Sequence, residues 1–174
     1  FGGIGTVIGH EITHGFDDKG RKFDSDGNLK DWWTEIDSKK YNEKTKKIRD
    51  QYASYMVEGK NVNGDLTLGE NIADIGGVSI SYFALQRYLQ ENPSENILID
   101  NLTPNQRFFI NYAKIWRSKT RKKESLKRLT MDPHSPPEFR VNGVLSNLNE
   151  FYEAFNVNKN DKLWKPEYER NSIW

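Results

Sequence analysis

Residues 2–18 read GGIGTVIGHEITHGFDD and hold two of the three histidines of this 174-residue chain. The apolar residues that recur there at helical spacing are Ile4, Val7, Ile8 and Ile12. Few charges interrupt them, so the pattern predicts a buried helix from Gly2 to about Phe16. The five glycines within this stretch indicate that its neighbours approach closely.

His10 and His14 form a pair that suits a metal ion. Residues four apart on an α-helix are separated by about 40° around the axis and lie one turn apart, so both rings can reach a common point. Glu11 lies about 100° to the side, where it can reach a water on the metal but not join the ligand pair. Two structural histidines on a buried helix are the alternative interpretation, and the complete HExxH spacing argues against it.

A third ligand is expected because a catalytic zinc takes three protein ligands and leaves one position open for water. Residues 66–79 read LTLGENIADIGGVS, which places Glu70 and Asp74 four apart in an otherwise apolar helix. Two buried like charges need a cation, a metal or a histidine donor as partner. Glu70 as third ligand and Asp74 as the group that orients His10 would satisfy both carboxylates. A surface-facing helix is the alternative.

The third histidine lies in DPHSPPEFRVNG, residues 132–143, a stretch whose prolines predict a loop. His134 and Arg140 could both direct positive charge at a developing oxyanion. A lone loop histidine is weak evidence by itself. It gains weight here from the metal site predicted upstream.

Further helices are predicted along the chain, and they account for most of it. They cover residues 32–56, 68–90, 106–121 and 148–155, with a basic helix between the last two. The third of them has an aromatic stripe of Phe108, Phe109, Tyr112 and Trp116 that suits a core. The chain is therefore predicted to be mainly α-helical.

Composition excludes several classes of function. The chain has no cysteine, so it has neither disulfides nor thiolate zinc sites, and any metal must be held by histidine and carboxylate. The net charge of +1, from 26 basic and 25 acidic residues, gives no overall field for nucleic acid or an anionic membrane. No apolar run approaches the length of a membrane span. We therefore expect no nucleic-acid partner.

Two other motifs have simpler interpretations. Asp24, Asp26 and Asn28 alternate as in a calcium-binding loop, but Gly27 is fourth where that loop needs its glycine sixth, so we expect a turn. The segment RSKTRKKESLKR, residues 117–128, is basic but lacks interleaved aromatic residues. We expect a solvated helix face there.

The three motifs together resemble the neprilysin-like zinc metallopeptidases (family M13), and the absence of cysteine resembles bacterial oligopeptidase O-like members. The resemblance implies a thermolysin-like (zincin) catalytic subdomain, helical and truncated at the zinc-binding helix. It implies that one Zn²⁺ is bound by His10, His14 and Glu70. Glu11 would then be the general base, Asp74 would hold His10, and His134 and Arg140 would stabilise the tetrahedral intermediate.

The same resemblance implies hydrolysis of short oligopeptides on the amino side of hydrophobic residues. Residues 1–174 are expected to form one domain, the C-terminal part of a longer catalytic domain, because the chain begins without Met inside a helix. The missing N-terminal part would be its partner, and the isolated fragment is expected to be inactive. The resemblance to bacterial members leaves the compartment open between the cytoplasm and the cell surface or secretion. A zinc-stabilised scaffold or a peptide-binding module stays as the alternative function.

Overall fold

The computed structural model describes residues 1–173 and is mainly helical, as the sequence predicts. The α-helices of these residues are α1 (Ile4–Thr13), α2 (Glu35–Ala53), α3 (Leu68–Glu91), α4 (Pro104–Ile115), α5 (Lys122–Met131), α6 (Pro137–Leu145) and α7 (Asn149–Phe155). A small antiparallel hairpin joins α2 to α3, with strands β1 (Met56–Val57) and β2 (Lys60–Asn61). Its turn residues Glu58 and Gly59 have φ values of 51° and 81°.

α1 packs antiparallel along α3, and glycines on both helices make the contact. A Cβ atom at Gly9 would lie 2.7 Å from the carbonyl oxygen of Gly77, and one at Gly77 would lie 2.7 Å from that of Thr6. The two backbones therefore meet with no side chain between them. This contact brings the histidines of α1 beside the carboxylates of α3.

The predicted burial of the apolar face of α1 is wrong. Ile4, Ile8 and Ile12 are 71%, 55% and 57% exposed, whereas Thr6, Gly9, His10 and Thr13 are buried. The small and polar face is buried because only that face allows the close approach to α3. The three isoleucines are left as a ridge along the outer side, which we call the isoleucine ridge.

The hydrophobic core lies among α2, α3, α4, α6 and α7. Its largest fully buried side chains are Tyr52, Tyr112, Phe109, Ile48, Ile72 and Ile75. Phe108, Phe109 and Tyr112 of the predicted aromatic stripe belong to this core, while Trp116 is only partly buried. The core fixes α4 and α6 against α3, and so it positions the second half of the candidate site.

Helix ends differ from the sequence prediction where capping decides them. α2 begins at Glu35 because Thr34 accepts the backbone N–H of Asp37, and α4 begins at Pro104 behind a capping box at Thr103. α6 begins within the predicted loop, with Pro137 in its first turn. Arg140 therefore lies on a helix, which gives its side chain a fixed direction.

The motif at Asp24 is a turn, as expected. Its carboxylate accepts the backbone N–H groups of Asp26 and Asn28 at 3.0 and 2.9 Å, and Gly27 has a φ of 79°. Each helix within residues 1–173 is too short or too polar to cross a membrane.

Candidate metal centre

Two imidazoles and one carboxylate converge where α1 meets the start of α3. The Nε2 atoms of His10 and His14 lie 3.0 Å apart, and Glu70 Oε2 lies 3.1 Å from the first and 3.6 Å from the second. Each of the three residues offers one potential ligand atom, and these three atoms lie within 4.8 Å of one another. Ligands about 2.0–2.2 Å from a tetrahedral zinc are themselves about 3.3 Å apart, so the spacing suits that ion.

Each imidazole is held by a carboxylate on its other nitrogen. His10 Nδ1 lies 2.8 Å from Asp74 Oδ1, and His14 Nδ1 lies 2.7 Å from Asp17 Oδ2. A carboxylate at Nδ1 favours the tautomer with its proton there, which leaves the Nε2 lone pair free for a metal. Once Nε2 is deprotonated, as metal binding requires, both rings present a lone pair to the same point.

The protonation states of His10 and Glu70 favour a bound cation at the centre. Burial lowers the pKa of His10, but hydrogen bonds to Asp74 and Glu70 outweigh burial and raise that pKa to about 9. Burial raises the pKa of Glu70, whereas the hydrogen bond to His10 and the nearby His134 and His14 lower it further than burial raises it. Glu70 is thus ionised at neutral pH, and its buried Oε2 faces the Nε2 atoms of His10, His134 and His14 at 3.1, 3.2 and 3.6 Å. A divalent cation placed among these groups would balance the charge of Glu70 without a protonated histidine.

Arg140 reaches the centre through Asp74 and not directly. Its Nε and Nη2 donate to the two oxygens of Asp74, both at 2.7 Å, and its guanidinium lies 3.7 Å from the ring centre of Trp116. Burial lowers the pKa of Arg140, but the bonds to Asp74 raise it by more, so the guanidinium stays charged. Tyr112 donates to the carbonyl of Arg140 at 2.8 Å and anchors α6 on α4.

His134 approaches the centre from the loop before α6. Its Nε2 lies 3.2 Å from Glu70 Oε2, and its Nδ1 lies 2.9 Å from Asp132 Oδ1. The loop is tied to α3 because Ser135 donates to Asn71 Oδ1 at 2.7 Å, and both of those side chains are buried. His134 itself stays partly exposed, so a bound substrate could reach it.

Glu11 borders a cavity of about 130 Å³ beside His10, which we call the metal cavity. Its other walls include Val7, Val78 and Trp116. The cavity also borders His134 and Arg140, so all of the predicted catalytic groups share one space. An extended ligand in this cavity would contact Glu11, His134 and the apolar side chains of the wall at the same time.

Three residues that the structure places around this site are not among those that the sequence predicts. Asp17 holds His14, Asp132 holds His134, and Trp116 lines the metal cavity. Asp17 follows His14 by three positions and Asp132 precedes His134 by two, so a search for carboxylates near each histidine would have found both. The spacing of Trp116 matches the aromatic stripe, so the sequence predicts this side chain in the core.

The chain is similar in sequence to known metallopeptidases. A family model described as peptidase family M13 matches residues 1–171. Endothelin-converting enzyme 1 of Rattus norvegicus is 49% identical over 89% of this chain and 20% of its own length. Neprilysin-1 of Caenorhabditis elegans is 50% identical over 89% of this chain and 21% of its own length.

Solved structures are similar over nearly the whole chain. The zinc metalloprotease Zmp1 of Mycobacterium tuberculosis, in complex with an inhibitor, matches with a TM-score of 0.95 and 48% identity. That match covers 99% of this chain and 27% of Zmp1. PepO from Lactobacillus rhamnosis HN001 matches with a TM-score of 0.86 and 35% identity, over 99% of this chain and 26% of its own.

Proposed function

Because this chain belongs to peptidase family M13, we propose that it forms the metal centre of a zinc metalloendopeptidase. The observation that carries the proposal is the convergence of His10, His14 and Glu70 within 4.8 Å. The chain spans about a fifth of the length of the curated relatives it matches. The activity, substrates and partners of a whole enzyme are therefore part of the proposal.

In the proposed peptide hydrolysis each residue of the site has a separate role. When bound, one Zn²⁺ would polarise the scissile carbonyl and lower the pKa of a water toward neutrality. Glu11 takes the proton from the attacking water and passes it to the leaving amine. His134 donates a hydrogen bond to the developing oxyanion, assisted by the positive charge of Arg140.

Asp74 has two tasks in this scheme, since it contacts both His10 and Arg140. One of its oxygens accepts from both groups and the other accepts from Arg140 alone. The three side chains are buried and hold one another in place. We therefore assign Asp74 as a positioning residue that couples a metal ligand to the oxyanion side of the site.

We propose short oligopeptides as substrates, cleaved on the amino side of hydrophobic residues. The metal cavity supports this choice because Val7, Val78 and Trp116 give it an apolar wall directly beside His10 and Glu11. A hydrophobic side chain following the scissile bond would bury apolar surface there.

The proposed function requires that the three predicted ligands bind Zn²⁺, and this requirement can be tested directly. Calorimetric titration of the chelator-treated chain with Zn²⁺ should give one ion per chain, and Glu70→Gln should weaken that binding at least about tenfold. Glu11→Gln is the matched control, since Glu11 is no predicted ligand, and it should keep the stoichiometry and affinity. Unchanged affinity in Glu70→Gln would exclude the proposed centre.

Cobalt substitution distinguishes a catalytic centre from a zinc-stabilised scaffold. Co²⁺ in a three-ligand site keeps an exchangeable position, so adding a small thiol should produce a new sulfur-to-cobalt absorption band. A closed site with four protein ligands would show no such band. That result would favour the scaffold and overturn the peptidase.

Turnover by the isolated chain is a separate matter, and we expect it to be absent or very low. Glu11 is exposed to solvent, so water reaches the metal centre freely from that side. A quenched fluorescent peptide with added Zn²⁺ measures this directly. Hydrolysis that Glu11→Gln abolishes would overturn the expected inactivity while supporting the proposed chemistry.

A further inference from the structure

Three hydrogen bonds run in series along the start of α3 and end on the loop that carries His134. Thr67 donates its hydroxyl to the carbonyl of Asn63 at 2.9 Å, and Asn71 donates its amide to Thr67 Oγ1 at 2.9 Å. Ser135 then donates its hydroxyl to Asn71 Oδ1 at 2.7 Å. The side chains of this series are at most 3% exposed, so the bonds form away from water and are stronger for it.

The amide of Asn71 has one orientation that satisfies both of its neighbours. The Thr67 hydroxyl already donates its proton to Asn63, so toward Asn71 it can only accept. The NH₂ end of the amide must therefore face Thr67, and the carbonyl end is turned to Ser135. Reversing the amide would set two oxygens against each other with no proton between them.

Asn71 and Ser135 are direct chain neighbours of two residues of the candidate site. Glu70 precedes Asn71 on α3, and His134 precedes Ser135 on the loop. His134 Nε2 lies 3.2 Å from Glu70 Oε2, so the two contacts join the same short segments side by side. A change in the bond between Ser135 and Asn71 therefore moves His134 relative to Glu70.

Other restraints on His134 act within its own loop or farther along the chain. Asp132 accepts the backbone N–H of His134 at 3.0 Å and lies 2.9 Å from its Nδ1, but it belongs to the same loop. Arg140 is bound to Asp74 of α3, but it lies on α6, six positions beyond His134. Within the described part of the chain, no backbone hydrogen bond joins residues 133–135 to another element. The side-chain bond to α3 is therefore the restraint that fixes this stretch of the loop.

We propose that Asn71 is a positioning residue that sets, through Ser135, the distance between His134 and the metal centre. The inference rests on the proposed function, in which His134 donates a hydrogen bond to the developing oxyanion. Such a donor is effective only when it is held at hydrogen-bond distance from the atom where charge develops. Asn71 acts through its neighbour because its side chain is fully buried and both of its bonds are to groups of the chain.

The test compares NMR spectra of the parent chain, Asn71→Leu and Ser135→Ala, all recorded with a chelator present. Cross-relaxation between protons falls steeply with distance, so cross-peaks from the His134 ring to the side chain of Glu70 report their separation. Either substitution leaves a buried polar group unpaired, and the loop should move away from α3 to expose that group to water. These cross-peaks should therefore weaken about twofold or more in both variants.

Two further measurements separate this role from a general loss of structure. The cross-peaks between the rings of His10 and His14, whose centres are 4.6 Å apart, should stay as in the parent chain. Zinc affinity from calorimetric titration should change less than about twofold, because other carboxylates, Asp74 and Asp17, hold the two imidazoles.

Ser79→Ala is the matched control, because it removes a hydroxyl of α3 that donates to the carbonyl of Ile75 within the same helix. It should leave the cross-peaks of His134 unchanged. The double variant should be affected no more than Asn71→Leu alone, since both substitutions remove the same bond. Should Asn71→Leu fail to fold, Ser135→Ala decides alone.

Cross-peaks of His134 that keep their strength in Ser135→Ala would overturn the proposal, as would effects of the two substitutions that add. The spectra are recorded without metal. Failure of this inference therefore leaves the zinc titration of the parent chain, and with it the proposed function, untouched.

Discussion

At the residue scale, the two imidazoles of the metal centre are held by carboxylates that reach them in different ways. Asp74 comes from a different helix, sixty-four positions from His10, whereas Asp17 lies three positions beyond His14. Asp17 is itself fixed, because its Oδ1 accepts the backbone N–H groups of Lys19 and Gly20 at 2.8 and 2.6 Å. The direction of the His14 ring is therefore set by a local turn.

Asp17→Asn should weaken zinc binding roughly ten- to hundredfold, as loss of an outer carboxylate does at other zinc sites. An asparagine has one acceptor oxygen, so it loses either the bond to His14 or the bonds to the turn. Calorimetric titration with Zn²⁺ measures the effect. Asp18→Asn is the control, because burial and Asp17 raise the pKa of Asp18 and its buried Oδ1 has no hydrogen bond among the described residues. Equal effects of the two substitutions would contradict the assignment.

Lys165 makes stability depend on pH. Burial lowers its pKa from 10.5 to about 8, although its Nζ donates to Asn147 Oδ1 at 3.1 Å. Below pH 8 the folded chain carries the whole cost of the buried charge. Between pH 8 and 10.5 the unfolded chain binds more protons than the folded one, so this group makes the free energy of unfolding rise with pH.

Lys165→Met should therefore stabilise the chain at pH 7, by about 1–2 kcal/mol after allowance for solvent screening, and the gain should shrink toward pH 9.5. Urea unfolding at both pH values measures it. Comparing variant with parent cancels the titration of His10, whose pKa is shifted in the opposite sense. Lys162→Met, at an exposed position of the same tail, should change little. A gain that is the same at both pH values would contradict the prediction.

At the scale of elements, the contact between α1 and α3 decides the geometry of the metal centre. The glycines on this contact let the two backbones touch, and His10 is thereby brought within hydrogen-bond distance of Asp74. A helix that presents its smallest residues inward must leave its large apolar residues outside. The exposed isoleucine ridge is thus the other face of the same contact.

Gly77→Ala should destabilise the chain by about 1–3 kcal/mol and weaken zinc binding, since its methyl group would meet the backbone of Thr6 and His10. The better helix propensity of alanine, worth up to about 1 kcal/mol, offsets only part of this loss. Urea unfolding and zinc titration measure the two effects. Gly15→Ala serves as control because no atom lies within 4 Å of the added Cβ, and it should be nearly neutral. Full stability of Gly77→Ala would disprove the tight contact.

At the scale of the whole molecule, the isoleucine ridge is an apolar surface that water meets directly. Ile4, Ile8 and Ile12 follow one another by one helical turn, so they form a continuous line. The matched relatives extend well beyond the length of this chain. We propose that the remainder of a longer polypeptide covers the ridge, as the resemblance implies for the N-terminal part.

Uncovered, the ridge should make the isolated chain associate as its concentration rises. Replacing Ile4, Ile8 and Ile12 by glutamine should suppress that association and lower the binding of an apolar dye. Because more than half of each side chain is exposed, the fold should survive, which the circular dichroism spectrum checks. Sedimentation velocity at several concentrations measures association. The same concentration dependence in variant and parent would show that the ridge is not the contact surface.

The sequence predicted the parts of this protein that depend on local geometry. Helical periodicity by itself places His10 and His14 on one face of the first helix, and Glu70 and Asp74 on one face of α3. The reason is that the rotation per residue is a property of the helical backbone. The core position of Phe109 and Tyr112 follows from the same rule.

What the sequence could not decide is which face of each helix meets a neighbour. The apolar face of α1 suggested burial, yet the structure buries its small residues, because a close backbone contact with α3 requires them. The approach of Arg140 to Asp74, across sixty-six positions, likewise depends on how α6 packs. The amino-acid sequence thus determined the helices and the functional side chains that each helix carries. Only tertiary packing decided which of those side chains lie within a few ångströms of one another. The physical reason is that the side chains between two helices set the distance between them, whereas spacing along the chain does not.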